Sequence, residues 1–317
     1  MSQLQAAKNF LLALASTVLL ALFAAAIPLG GALLLPLVPQ PALAFGLRHG
    51  AAKTAGLLVL ATATVAYLAG RDLGIGYAFI ALMVALLLFC FGRGWSVERV
   101  VTSTAASLLM VLAAGALLVF GSFSGVHEGV RALLAEHMDA SLDLYETVGL
   151  STESVDMLRE RAPQIIDVFI AIMPALAFAG LVGAILINLF FLLRRFPERR
   201  AFLVETPDFK EWRTPEFLVW CFILAGFGLF VPGAEVLRML ALNLFLMIVI
   251  FYFFQGLSIV AYYLHHKHVP YFLRSVAYAF IVFEQICTVF VVALGLFDLW
   301  GDFRRLKKKN LSPGPVA

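Results

Sequence analysis

Apolar runs of about 20 residues follow one another along most of this chain, and that constrains the fold more than any other feature. A helix needs roughly 20 apolar residues to cross a hydrocarbon core about 30 Å thick. The runs are continuous and do not alternate with period two, so they predict membrane helices and not the strands of a barrel. Spans are expected near 10–27, 30–46, 52–69, 74–92, 99–121, 164–193, 215–231, 235–263 and 270–299. The second holds Pro36, Pro39 and Pro41 and is expected to be broken. Pro174 should kink the sixth. The fold class is thus an all-α polytopic bundle of eight to nine transmembrane helices.

Composition excludes the main alternatives. The 317 residues are 62% hydrophobic and only 14% charged. A soluble domain carries about 25% charged residues, and a soluble chain of this size has no place for so much apolar surface. A net charge of +3, with no basic patch interleaved with aromatics, gives no support for nucleic acid. Cys90, Cys221 and Cys287 sit singly in apolar runs, which suits small core hydrophobes and neither a disulfide framework nor a metal site.

Orientation follows the Lys/Arg bias of short loops. Arg48 and Lys53, Arg93 and Arg99, and the group Arg194, Arg195, Arg199, Arg200, Lys210 and Arg213 mark three loops on one side, expected to be cytoplasmic. Residues 127–163 lie opposite and carry eight acids against Arg131, Arg159 and Arg161. Within the 122–163 insert, Val130, Leu133, Leu134, Met138, Leu142 and Leu144 recur at helical spacing, and Gly149 interrupts them. Ser151 can cap a second helix. The insert is expected to be an extracytoplasmic pair of short amphipathic helices. Nine spans would place the basic tail outside, whereas its charge favours the cytoplasm. A re-entrant 215–231 run would put both termini inside, and the sequence leaves this open. The expected organisation is a six-span bundle over 1–195, a basic loop over 196–214, further spans over 215–303 and a basic tail over 304–317.

Ionisable groups in mid-membrane are costly and attract functional hypotheses. Glu284 stands at the centre of the last run, beside Gln285. Asn188, Asn243 and Gln255 lie within other spans. These five residues are the candidate substrate contacts, although amides of this kind also join helices to one another. His265, His266 and His268 surround Lys267, but successive histidines face different sides of a helix and no carboxylate or cysteine completes a metal set. Gly121-Ser-Phe-Ser-Gly125 misses the spacing of a nucleophile elbow. With no phosphate-binding loop and no HExxH run, no enzymatic chemistry, cofactor or metal is expected.

Three stretches carry a family resemblance. They are Tyr145-Glu-Thr-Val-Gly-Leu-Ser-Thr-Glu-Ser-Val155 leading to Pro174-Ala-Leu-Ala, Phe254-Gln-Gly-Leu-Ser-Ile-Val-Ala-Tyr-Tyr263, and Leu294-Gly-Leu-Phe-Asp-Leu-Trp-Gly-Asp-Phe-Arg-Arg-Leu306. With the span layout, they resemble the YybS-like family of bacterial multi-pass membrane proteins, whose function is unknown. That family is distantly similar to the S components of energy-coupling-factor vitamin transporters. These six-helix proteins capture a small molecule from the outer side and topple against a partner carrying ATPases. The resemblance implies that the first six spans form such a core, with Ala21 and Ala25 on a small-residue face that docks the partner. The acidic insert and the C-terminal spans are additions to that core, and no vitamin-binding motif accompanies them. Two readings follow. One is capture or transport of a small molecule, with separate ATPase subunits. The other is a non-catalytic scaffold or assembly factor contacting proteins or anionic lipid through its basic loop and tail.

Overall fold

The computed structural model describes residues 3–27, 31, 34–149, 151–197, 210 and 212–304. Most of the basic loop 196–214 and the tail beyond Arg304 therefore lie outside the described residues. All regular structure among the described residues is helical. In chain order the α-helices are α1 (Gln3–Ala26), α2 (Gln40–His49), α3 (Ala51–Ala69), α4 (Arg71–Gly92), α5 (Val97–Phe120), α6 (Phe123–Val148), α7 (Thr152–Arg195), α8 (Phe217–Gly228), α9 (Glu235–His266), α10 (Tyr271–Phe283) and α11 (Gln285–Gly301).

Six of these helices are long and apolar enough to cross a membrane, and the pair α10–α11 makes seven if counted as one span. The sequence predicts eight to nine, and the difference has three local causes. Proline removes backbone donors between residues 36 and 41, so the second run becomes a 3-10 turn at Leu35–Leu37 and the 10-residue α2. The 215–231 run holds only the 12-residue α8, about 18 Å at 1.5 Å per residue. The last run is not continuous: it breaks at Glu284, and the two halves bend by 99°.

The chain forms two compact units, residues 1–119 with 180–205 and residues 120–179 with 206–317. In the first, α1 packs on α2 and α3, and α3 pairs with α4. Leu43, Leu57, Leu87, Leu108 and Ile185 fill its interior. The proline-rich stretch is held by one amide. Asn188 Nδ2 donates to the Pro36 carbonyl at 2.7 Å, and Gln40 Nε2 donates to Asn188 Oδ1 at 2.9 Å. A broken helix thus finds the hydrogen bonds that its prolines removed.

The second unit begins with α6, which Ser122 caps by accepting the Gly125 amide at 3.0 Å. Gly149 ends it at φ 94°, a left-handed conformation that glycine adopts without a Cβ penalty. Arg131 pairs with Asp167 at 2.9 Å, and Arg159 reaches Asp143 and Glu146. These half-exposed pairs tie the acidic segment to the next helix while adding little stability each. The segment differs from the two short helices expected. Its second part is the first third of α7, a single helix of 44 residues.

That continuity through Pro174 has a visible cause. Asn243 Nδ2 donates to the Ala171 carbonyl at 2.7 Å, and its Oδ1 accepts the Ala175 amide at 2.9 Å. The side chain thereby serves both members of an i, i+4 backbone pair beside the proline. Replacing Asn243 with alanine is expected to lower stability by about 1–2 kcal/mol, near the upper end for an interhelical amide. An unchanged unfolding midpoint in detergent would refute this bridging role.

Candidate functional site

Gln255 and Gly256 on α9 meet Gly295 and Asp298 on α11. A Cβ at Gly256 would overlap the Val291 carbonyl oxygen, and one at Gly295 would overlap the Tyr252 carbonyl oxygen. Only glycine permits this approach of two backbones. The approach brings the next polar residues together. Gln255 Nε2 donates to Asp298 Oδ2 at 3.3 Å, while Gln255 Oε1 accepts the Thr214 amide at 3.0 Å.

After α11 the chain turns back through Asp302, at φ 38°. Arg304 then enters the same cluster. Its Nη2 donates to Asp298 Oδ2 at 2.7 Å, and its Nη1 donates to Ser258 Oγ at 2.6 Å and to the carbonyls of Lys210 and Trp212 at 2.8 and 2.9 Å. The Phe303 amide donates to Asp298 Oδ1 at 2.9 Å. Both side chains of the Asp298–Arg304 pair are 0% exposed. Beside them Arg213 pairs with Asp302. Burial pushes the Arg213 guanidinium below the usual arginine range, and the nearby Asp298 charge opposes this. Such a pair survives burial only because further hydrogen bonds surround it. Asp298 and Gln255 therefore use their polar atoms on the chain itself. The cluster is a clasp that holds Lys210 and residues 212–214 against α9 and α11.

The clasp places residue 304 on the same side of the second unit as Lys210 and residues 212–214. Tyr263 Oη donates to the Phe303 carbonyl at 2.8 Å, and Arg274 approaches His265 Nδ1 at 3.4 Å. The bent pair α10–α11 therefore starts and finishes beside the last turns of α9. A 99° bend of this kind belongs to a broken span or to a re-entrant loop. By contrast α8 lies antiparallel to α9: Thr214 meets Gln255 at one end, Phe222 stacks on Phe245, and Gly228 lies against Ala241 at the other end.

This arrangement relocates the leading sequence candidates. Glu284 and Gln285 do not lie inside one continuous helix. They stand exposed at the break, where Glu284 takes an extended conformation (φ −95°, ψ 110°) as the residue before α11. A polar pair inside an apolar run marks the place where backbone leaves the helix. Thr288 Oγ1 then donates to the Ile281 carbonyl at 2.6 Å across the break. Replacing Glu284 with glutamine is expected to shift stability by less than about 0.5 kcal/mol, as for other exposed sites. A large shift in the unfolding midpoint would contradict its exposed position. Asn188, Asn243 and Gln255 are each buried and engaged with backbone or side chains of other segments. They join helices and are not brought together with Glu284. On α1, Ala21 is half-buried and Ala25 is exposed. No group of three metal-ligating side chains occurs among the described residues.

The first unit holds a cleft that the sequence reading missed. Its volume is about 470 Å³, and Gly46, Arg48, His49, Gly50, Leu88, Phe91, Leu192 and Leu193 are among its lining residues. It lies where the ends of α2, α4 and α7 meet the start of α3. These ends carry Arg48, Arg93 and Arg194, which therefore lie on one side of this unit. The Arg48 guanidinium sits 5.1 Å from the centre of the Phe196 ring, and no carboxylate pairs with it among the described residues. His49 stacks on Phe45, and its Nδ1 lies 3.2 Å from the Phe45 carbonyl. Its Nε2 is buried with no hydrogen-bond partner. In the sequence Arg48 reads only as a marker of orientation, and His49 is not singled out. The signal that could have found them is a basic pair set between Gly46 and Gly50, next to a run broken by proline.

A family model described as a predicted membrane protein (DUF2232) matches residues 15–299. The chain belongs to this family. The matched range contains the cleft, the close approach of Gly256 and Gly295, and Asp298, and it ends before Arg304. Comparisons with curated proteins and with solved structures give no match.

Proposed function

We propose that this DUF2232 membrane protein is a non-catalytic binding protein that captures a small molecule in the cleft of its first unit. The observation that carries this reading is the cleft itself. It joins apolar walls to a free guanidinium and an unpartnered imidazole nitrogen, the combination of enclosure and few polar groups that ligand sites show. The reading accords with the resemblance to S components, whose function is also capture within a membrane bundle. In this proposal the ends bearing Arg48, Arg93 and Arg194 face the cytoplasm of a bacterial cell, and α6 lies outside the membrane on the opposite side. Any energy for transport would come from separate ATPase subunits, for which the exposed small-residue face of α1 is a candidate dock.

The test is native mass spectrometry of the gently purified full-length chain, alone and as Arg48→Ala. A co-purifying small molecule lost from the variant supports capture. A clean apo mass together with a tightly held protein partner would replace this reading with the scaffold, to which the clasp would contribute by fixing residues 212–214 as a firm surface.

A further inference from the structure

From the cleft we infer a ligand class: a phosphate ester, held by Arg48 and His49 at a polar end, with an apolar portion against Leu88, Phe91, Leu192 and Leu193. The inference rests on the capture reading and specifies its ligand.

The charge at the cleft has one sign. Among the described residues of its lining, Arg48 and His49 are the ionisable ones, and no acid is among them. A guanidinium presents a planar fork of donors that matches two oxygens of a phosphate group. The Phe196 ring, 5.1 Å away, helps fix the position of that fork. With Nδ1 turned to the Phe45 carbonyl, His49 Nε2 is the polar atom left over, and a charged ring would donate it to an anion. Gly50 and Ala51 at the start of α3 also line the cleft, and no side chain caps that first turn.

Size and wall chemistry narrow the class further. A phosphate ion alone would leave most of the 470 Å³ empty. Four apolar side chains would then remain without contact. A molecule with a phosphate head and an apolar stem satisfies both ends. It could come from the bilayer, as an anionic phospholipid of the adjoining leaflet, or from solution, as a phosphorylated metabolite. The binding chemistry is shared.

The experiment uses the delipidated full-length chain in neutral detergent. It is titrated separately with short-chain phosphatidylglycerol, short-chain diacylglycerol, glycerol 3-phosphate and inorganic phosphate, with native mass spectrometry and the unfolding midpoint as readouts. Phosphatidylglycerol is expected to bind saturably, and diacylglycerol is not. Arg48→Ala is expected to weaken the affinity roughly tenfold to a hundredfold, as for loss of a charge-assisted contact. Arg48→Lys should lose less, and Arg93→Ala, outside the cleft, should bind as the parent does. Saturation by phosphatidylglycerol with no effect of glycerol 3-phosphate assigns the lipid source. Saturation by glycerol 3-phosphate assigns the soluble source. Equal binding of diacylglycerol and phosphatidylglycerol, abolished by Leu88→Trp in the cleft wall, would overturn the phosphate class and leave capture standing. No saturable binding of any probe, with no co-purifying molecule on the parent chain, would overturn both. Because Arg48 is exposed, its variants should fold, and an unchanged midpoint without ligand checks this.

Discussion

Replacing Asp298 with alanine is expected to cost about 3–5 kcal/mol, because it strands the Arg304 guanidinium in a fully buried site. The loss extends beyond one ion pair. Gln255 Nε2 and the Phe303 amide lose their acceptor at the same stroke. Arg304→Ala should be comparably severe. It leaves the Asp298 carboxylate buried and removes a donor to Ser258, Lys210 and Trp212. The decisive comparison is the double variant Asp298→Leu with Arg304→Met. A buried charge pair replaced by apolar groups of similar volume is often close to neutral. The double variant should therefore recover most of the stability lost by either single change. Thermal unfolding in detergent, with the amount of folded chain in the membrane fraction, reads both effects. Single variants as stable as the parent would show that no buried pair exists there.

The second large effect concerns the two glycines beneath that clasp. Gly256→Ala should destabilise by about 1–3 kcal/mol, and Gly256→Leu by more, since the added Cβ meets the Val291 carbonyl and cannot rotate away from it. Gly295→Ala should behave alike against the Tyr252 carbonyl. Gly183 on α7 provides the contrast. Nothing lies within 4 Å of a Cβ built there, so alanine should be neutral or stabilising by up to about 1 kcal/mol. If the Gly183 and Gly256 variants unfold alike, the close approach of α9 and α11 is wrong. The same variants probe the clasp indirectly. Forcing α9 from α11 draws Gln255 away from Asp298, so Gly256→Leu combined with Asp298→Ala should cost less than the sum of the two.

The two glycines and the clasp illustrate what was legible in the chain and what was not. Gln255-Gly256 and the Gly295 to Arg304 stretch stand out in the sequence as parts of a family resemblance. Their partnership does not, because 39 positions separate Gly256 from Gly295 and no periodicity links them. Asp298 follows an apolar run and Arg304 precedes a basic tail, so each reads as a flanking charge. Their contact requires the turn at Asp302, which folds the chain back by a left-handed residue. Glu284 was less legible. A carboxyl at the centre of a long apolar run does not by itself show that the helix breaks there, and the structure sets the polar pair Glu284–Gln285 at that break. The amides were more legible. Interhelical joining is the commoner fate of an amide in a membrane helix, and Asn188 and Asn243 both follow it, each beside prolines that had left backbone groups unpaired.

By itself the sequence determined that the chain is an all-helical membrane protein, because continuous apolar length answers directly to bilayer thickness and leaves no other solvent for so much apolar surface. It also determined the weak points of the helices, since proline and paired polar residues act on their own turn of backbone. Only the tertiary structure decided which runs are full spans, which charges meet, and where the chain leaves a cleft. The last run could be one straight helix or two halves, and the 99° bend at Glu284 decides for two halves, with the Tyr263–Phe303 hydrogen bond holding the second half to α9. The basic residues of three loops could be scattered, and the meeting of α2, α4 and α7 decides that Arg48 and His49 share one cavity. Local pattern fixes a helix because its hydrogen bonds close within four residues. A site depends on backbones meeting across tens to hundreds of positions, and that distance is invisible in the order of the residues.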